Sequence, residues 1–208
     1  MDATNALSTE RSDLLAVLAH ARHFLRNTTR DLNDEQARQR TTVSELCLGG
    51  LVKHVMAVEQ SWADFIVNGT GAQRAFADMT PEDWARRADG FRLLPGETLD
   101  GVLADYAKIA EATDELVATL PDLDAAHPLP EAPWFPPGTQ WSARQVILHI
   151  VAETAQHAGH ADIIRELIDG TGGPDQDAIG EPEWQAYLAQ VQAAANAFAP
   201  HWPPDAID

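Results

Sequence analysis

Apolar residues recur along this chain at the three- and four-residue spacing of amphipathic helices, whereas the alternation of apolar and polar residues that marks β-strands is nearly absent. Each long apolar stretch follows a residue able to cap a helix and stops at a glycine, a proline or a polar cluster. Four long helices are predicted over about residues 8–31, 44–67, 98–120 and 142–170, and a final one over about 181–198. A short helical turn is expected at Pro81.

A proline-rich segment separates the third and fourth predicted helices. Residues 121–141 contain six prolines, which preclude a continuous helix there. Four long helices with such a prolonged crossover predict an all-α four-helix bundle over residues 1–170, with residues 171–208 as a C-terminal extension packed on it. Trp134 and Trp141 flank the crossover, where they either wall a pocket or cover the end of the bundle.

The fourth predicted helix carries the most informative polar residues. His149, Glu153 and His157 follow one another at intervals of four residues, so on a helix they share one stripe, among apolar neighbours. Imidazole and carboxylate groups that face a core must be neutralised, hydrogen-bonded or bound to a cation. The stripe therefore indicates either a polar network or a metal site.

The second predicted helix also carries a histidine. His54 belongs to an apolar face, with Lys53 and Glu59 expected nearer its edge. One histidine from this helix and the pair Glu153 and His157 from the other make a plausible three-ligand site for zinc, nickel or ferrous iron. A single part-buried histidine is more often satisfied by hydrogen bonds, but the three residues together favour the metal interpretation.

Several neighbouring residues keep open alternatives. His149 is either an alternative ligand or a group that supports the ligands, and His160 is expected at the rim of the pocket. Cys47 is most simply a small buried hydrophobic residue. The pair Gly49-Gly50 allows the close approach of either another helix or a ligand. The remaining histidines are treated as surface or structural residues: His20, His23, His127 and His201.

Charge and cysteine content narrow the classes of partner and compartment. Thirty-two acidic against fourteen basic residues give a formal net charge of -18, which repels nucleic-acid backbones and anionic lipids. The single cysteine excludes an internal disulfide framework and all-thiolate zinc sites. The chain starts without a signal-peptide pattern and has no apolar run of about 20 residues, so a cytoplasmic protein is predicted.

Two segments carry a resemblance to a known family, Glu-Leu-Cys-Leu-Gly-Gly-Leu-Val-Lys-His at 45–54 and the stretch 141–162 that includes Glu-Thr-Ala-Gln-His-Ala-Gly-His. Over about residues 8 to 170 the chain resembles the DinB-like superfamily of metal-binding four-helix bundles. It looks most like the actinobacterial branch that includes mycothiol-dependent transferases and the mycothiol-dependent maleylpyruvate isomerase. The common pattern is a histidine plus a His-x-x-x-His pair; Glu153 here matches the His, Glu, His variant of the mycothiol branch.

The resemblance implies that His54, Glu153 and His157 bind a divalent ion, with zinc expected and nickel or iron as alternatives. The ion would lower the pKa of the mycothiol sulfur and present a thiolate to an electrophile, which makes the protein a metal-dependent S-transferase. His160 is the candidate catalytic base. A small-molecule thiol and an electrophile are the expected partners, and a homodimer remains an open possibility.

Two other functions remain open from the sequence. One is a non-catalytic DinB-like protein that binds a metal or a small molecule. The other is a metal-dependent isomerase or hydrolase that uses metal-bound water.

Overall fold

The computed structural model of the chain describes residues 8–70, 76–171 and 178–197. The helices in chain order are α1 (Thr9–Asn27), α2 (Asp34–Arg38), α3 (Leu48–Asn68), α4 (Pro81–Asp89), α5 (Leu99–Thr119), α6 (Ala143–Asp169) and α7 (Glu181–Ala197). A 3-10 turn spans Phe76–Asp78, and two strands span Ala126–Pro128 (β1) and Gln140–Ser142 (β2). Among the described helices, none combines the length and the apolar character that a membrane span requires.

The long helices α1, α3, α5 and α6 form the predicted four-helix bundle, which confirms the all-α fold class. Ser8 caps α1 and Thr98 caps α5, each through its side-chain oxygen, as predicted. Helix α3 begins at Leu48, four residues later than expected. The reason is that Arg40 donates hydrogen bonds to the carbonyl oxygens of Val43 and Ser44, which are then not used by helical N–H groups.

The chain divides into two compact units, Met1–Ile168 and Asp169–Asp208. The first unit contains the bundle, and α7 belongs to the second. The packing of residues 171–208 on the bundle stays a prediction.

The interior of the bundle consists of two apolar clusters with polar residues between them. One cluster includes Leu25, Val55, Tyr106 and Ala158, and the other includes Leu18, Phe65, Val117 and Ile150. On each long helix one buried polar residue lies between the members of the two clusters: Arg22 on α1, Glu59 on α3, Thr113 on α5 and Thr154 on α6. We call these four residues the buried polar layer.

An ion pair joins α1 to α3 in the buried polar layer. The Arg22 guanidinium donates from Nε to Oε2 of Glu59 at 3.0 Å and from Nη2 to Oε1 at 2.5 Å, and it also reaches Asp114 at 2.7 Å. Burial acts to lower the pKa of Arg22, but the two carboxylates raise it above its usual value. Glu59 is 0% exposed, so its predicted place near the edge of α3 is wrong. Arg22 supplies the countercharge that allows this burial.

The proline-rich crossover is pinned at both of its ends. Strand β1 pairs with β2 in antiparallel register, with His127 opposite Trp141. The sequence analysis did not predict this pair, because each strand has only three residues and neither shows an alternating pattern. The short pair brings the start and the end of the crossover together at the beginning of α6.

The glycine pair in α3 allows the close approach of the segment that follows α4. A Cβ atom on Gly50 would lie 1.9 Å from the carbonyl oxygen of Phe91, and one on Gly49 would lie 2.6 Å from Cδ1 of Leu93. The sequence left another helix or a ligand as the alternatives, and the structure places a loop segment there, which is neither of them. This approach holds Phe91 next to α3.

We expect Gly50→Ala to lower the free energy of unfolding by about 1–3 kcal/mol, because the added methyl group overlaps the Phe91 backbone. The matched control is Gly159→Ala in α6, where an added Cβ meets no atom within 4 Å. This control should gain up to about 1 kcal/mol from helix propensity. Urea unfolding followed by circular dichroism measures both changes. A Gly50→Ala variant as stable as Gly159→Ala would contradict the close approach.

Candidate metal centre

The structure brings three of the predicted site residues together from two helices. His54 extends from α3, and Glu153 and His157 extend from successive turns of α6. One ligand atom of each lies within 4.8 Å of the others. Nε2 of His157 is 3.7 Å from Oε2 of Glu153, and the rings of His54 and His157 meet edge to face with centroids 4.8 Å apart. We call these residues the three-donor group.

Phe91 fixes the orientation of His54. The two rings stack with centroids 4.1 Å apart, a contact that depends on the approach of Phe91 to Gly50 one turn earlier in α3. Burial, together with the charges of His157 and Arg87, lowers the pKa of His54 to about 4. His54 is therefore neutral at neutral pH, and a neutral imidazole is the form that can bind a metal ion.

Burial also keeps His157 neutral at neutral pH. His157 contacts His160 as well as Glu153. Burial lowers the pKa of His157, against the opposing charge of Glu153. Nδ1 of His157 lies 3.4 Å from Nδ1 of His160, while Nε2 faces Glu153. A hydrogen bond from Nδ1–H to His160 would leave Nε2 free to act as a ligand, which is how neighbouring groups commonly orient metal-binding histidines.

His149 lies beside the three-donor group and outside it. Its Nε2 is 4.0 Å from Oε1 of Glu153, on the preceding turn of α6. Its ring contacts Trp62 and Trp141, each with centroids 5.0 Å apart. Burial lowers the pKa of His149. Of the two alternatives for His149, this position favours a group that supports Glu153.

The three-donor group opens into a cavity of about 830 Å³. Aromatic side chains form much of its wall: Trp62, Phe76, Phe91, Trp134 and Phe135. Trp134 therefore walls a pocket, one of its two predicted roles, while Trp141 stacks on Trp62 with centroids 5.2 Å apart. The sequence analysis missed Phe76, Phe91 and Phe135, whose surroundings have no helical period to point to a site.

The donor chemistry of the site fits a divalent ion. Two imidazoles and one carboxylate match the ligand preferences of zinc and related ions, and three protein ligands leave a coordination position free for a small molecule. The side chains of Glu153 and His157 are 29% and 13% exposed, which leaves them accessible from the cavity. Cys47 is buried, as predicted, and it is not part of the group.

The three remaining histidines in the described part of the chain, apart from His149 and His160, lie away from the three-donor group. Nε2 of His127 is 3.2 Å from the carbonyl oxygen of Ile66, which is a structural contact. His20 and His23 contact Phe24 within α1. His201 lies outside the described residues.

Two solved structures share this fold at low sequence identity. A conserved protein from Enterococcus faecalis is 12% identical, with a TM-score of 0.60, covering 80% of this chain and 100% of that chain. YfiT from Bacillus subtilis, described as a probable metal-dependent hydrolase with an unusual four-helix bundle topology, is 16% identical, with a TM-score of 0.53, covering 79% of this chain and 91% of that chain. At these identities the likeness shows the fold alone. The chain matches none of the curated proteins.

A family model covers the bundle and the whole candidate site. The model of the mycothiol S-transferases matches residues 13–170, a range that contains the three-donor group and every residue lining the cavity. The match confirms the resemblance to the DinB-like superfamily inferred from the sequence. This chain belongs to the mycothiol S-transferase family, a DinB-like family.

Proposed function

We propose that the protein is a metal-dependent S-transferase that joins mycothiol to an electrophilic small molecule. The observation that carries the proposal is the three-donor group, whose ligand atoms lie within 4.8 Å of one another at a cavity of about 830 Å³. Membership of the mycothiol S-transferase family supports mycothiol as the thiol. His54, Glu153 and His157 are the proposed metal ligands, zinc is the proposed ion and the cytoplasm is the proposed compartment.

When bound, a divalent ion would lower the pKa of a thiol and favour its thiolate form near neutral pH. The chain holds two neutral imidazoles and one carboxylate around that position, so the protein cancels only one of the two positive charges. The remaining positive charge favours an anionic ligand such as a thiolate. The aromatic wall offers an apolar surface to the electrophile.

His160 is the proposed acceptor of the thiol proton. Its side chain lines the cavity, and its Nδ1 contact with His157 would orient that ligand as well. Both roles use the imidazole, but only proton acceptance changes the pH dependence of the rate. Replacing His160 with glutamine and following kcat against pH therefore separates the two roles.

We expect the zinc-loaded protein to accelerate the reaction of mycothiol with monochlorobimane, and to lose this activity on chelation and regain it when zinc is returned. Glu153→Gln removes the anionic donor and should weaken metal binding by about tenfold to a hundredfold. Glu166→Gln, an exposed change on the same helix, is the matched control. Rates are compared with bacillithiol, glutathione and cysteine in place of mycothiol.

Equal, metal-independent rates with all four thiols would contradict the transferase and favour a binding protein. Zinc-dependent turnover without loss of free thiol would favour an isomerase or hydrolase. Product identification by mass spectrometry separates these outcomes, since only transfer adds the thiol to the product.

A further inference from the structure

One guanidinium group lies in the metal cavity. Among the described residues that line this cavity, Arg87 on α4 is the only lysine or arginine. Its guanidinium carbon lies 5.8 Å from the centroid of the Phe91 ring, and the same ring stacks on His54 at 4.1 Å. A positive charge is therefore separated from a proposed metal ligand by one aromatic side chain.

No acidic residue of the described segments neutralises the charge of Arg87 through a contact. Within residues 8–70, 76–171 and 178–197, its side chain makes no hydrogen bond and no ion pair. The neighbouring arginines differ, since Arg86 pairs with Asp83 and Arg92 pairs with Asp89. A guanidinium is always charged and presents a planar set of donors that matches a carboxylate. Arg87 is thus available to a ligand in the cavity.

A second cavity, of about 530 Å³, continues the positive surface beyond Arg87. The two cavities share Glu45, Arg87 and Phe91 as lining residues. The second one adds Arg40 and Arg92, and since Arg92 pairs with Asp89, Arg40 and Arg87 are the two arginines of this cavity without an ion pair in the described part of the chain. Arg40 donates hydrogen bonds to backbone carbonyl oxygens, which carry no net charge and therefore do not neutralise its guanidinium.

The acidic residues nearby do not cancel this surface. Glu45 lines both cavities, and Glu131 and the proposed ligand Glu153 line the metal cavity, but none of the three forms an ion pair with Arg87 in the described part of the chain. The chain as a whole has a formal net charge of -18. In the second cavity Arg40 and Arg87 meet the single carboxylate of Glu45, and this local excess of positive charge favours an anion there over other parts of the acidic surface.

We propose that Arg87 binds a carboxylate of the electrophile, so that the substrates are acidic molecules with an apolar or aromatic body. The carboxylate would accept hydrogen bonds from the guanidinium, and the body would lie along Phe91 and the aromatic wall. The electrophilic carbon would then face the three-donor group. This inference names the substrate class and rests on the proposed transferase function.

A matched pair of electrophiles tests the class of substrate. In para-chloromethylbenzoate and para-chloromethylbenzamide the reacting carbon is the same and only the remote group is charged. With either compound the mycothiol sulfur forms a bond to the benzylic carbon, the carbon–chlorine bond breaks, chloride leaves with the bonding electrons, and the thiol proton passes to His160 and from there to solvent. Because mycothiol is the same in both reactions, a preference for the acid belongs to the electrophile site.

We expect zinc-loaded wild type to favour the benzoate over the benzamide, relative to the uncatalysed rates. Arg87→Gln should reduce this ratio of kcat/KM values by roughly tenfold to a hundredfold, mainly through KM, because a charge-assisted hydrogen bond is lost. Arg86→Gln, one residue earlier on the same helix and outside both cavities, should keep the wild-type ratio. The same ratio in wild type and Arg87→Gln would overturn the inference.

A binding measurement separates this inference from the transferase proposal. Isothermal titration of the zinc-loaded proteins with para-toluate and para-toluamide measures binding without turnover. Wild type and Arg87→Gln hold the same zinc ion, so a difference between them does not come from coordination of the toluate carboxylate by zinc. Tighter binding of toluate that depends on Arg87, without turnover of either electrophile, would support the carboxylate site and overturn the transferase. Toluate binding that does not depend on Arg87 would overturn the site even in an active enzyme.

Discussion

The His157→Ala variant will keep its helical fold and bind no divalent ion at the three-donor group. His157 contributes one of three donors, and it lies between the other two, with Nε2 3.7 Å from Glu153 and its ring 4.8 Å from that of His54. Two remaining ligands from different helices do not form a stable site, since sites of this kind use at least three protein ligands. Elemental analysis after zinc loading and dialysis measures the bound metal, and circular dichroism checks the fold.

The control for this result is His20→Ala. His20 is an exposed histidine of α1 and contacts Phe24, so its loss should leave one ion bound per chain. An equal metal content in wild type and His157→Ala, with both proteins folded, would remove His157 from the ligand set. Loss of metal in both variants would indicate a general effect of histidine removal on the protein.

Arg22→Met will lower the free energy of unfolding by about 3–5 kcal/mol, the largest stability change expected in the bundle. The change removes the countercharge of Glu59, which is 0% exposed and has two hydrogen bonds from Arg22. A carboxylate left unpaired in the interior must either remain charged at a high cost or take up a proton. Urea unfolding at neutral pH measures the loss.

Two further variants decide whether the unpaired charge is the cause. Arg26→Met, one turn later on α1 and exposed, should change stability by less than about 1 kcal/mol. The double variant Arg22→Met with Glu59→Met should recover most of the loss, because it removes both buried charges. A double variant less stable than Arg22→Met alone would mean that Glu59 has another essential contact.

The fold was predictable because the signals that define it are local. Helical spacing, capping residues and prolines identified α5, α6 and the crossover with nearly their observed bounds, and the start of α1, which ends at Asn27, about four residues before its predicted end. The start of α3 was misjudged because Arg40 binds the carbonyl oxygens of the preceding loop, a contact that the spacing of residues does not reveal. The buried pair of Arg22 and Glu59 was missed because its partners are 37 residues apart, so no local pattern of residues connects them.

The candidate site was predictable only in part. Glu153 and His157 are one turn apart on a helix, so their common direction follows from the sequence. His54 was proposed from its place on an apolar helical face, and the resemblance to a family implied the same three ligands. Much of the wall of the cavity comes from outside the four long helices, including Phe91 and, on the short helix α4, Arg87. Trp134 was one sequence signal for this wall, and the pair Gly49-Gly50 was another, which indicated a close approach without naming the partner.

The proline-rich crossover has a consequence for how such a protein diversifies. The bundle helices supply the three-donor group, whereas the crossover, held at its ends by the pairing of β1 and β2, supplies Glu131, Trp134 and Phe135 to the facing wall. Substitutions or changes of length between the two strands therefore alter the shape offered to a ligand without touching the helices that hold the donors. One reactive centre can in this way be combined with many recognition surfaces, and selection can act on each separately.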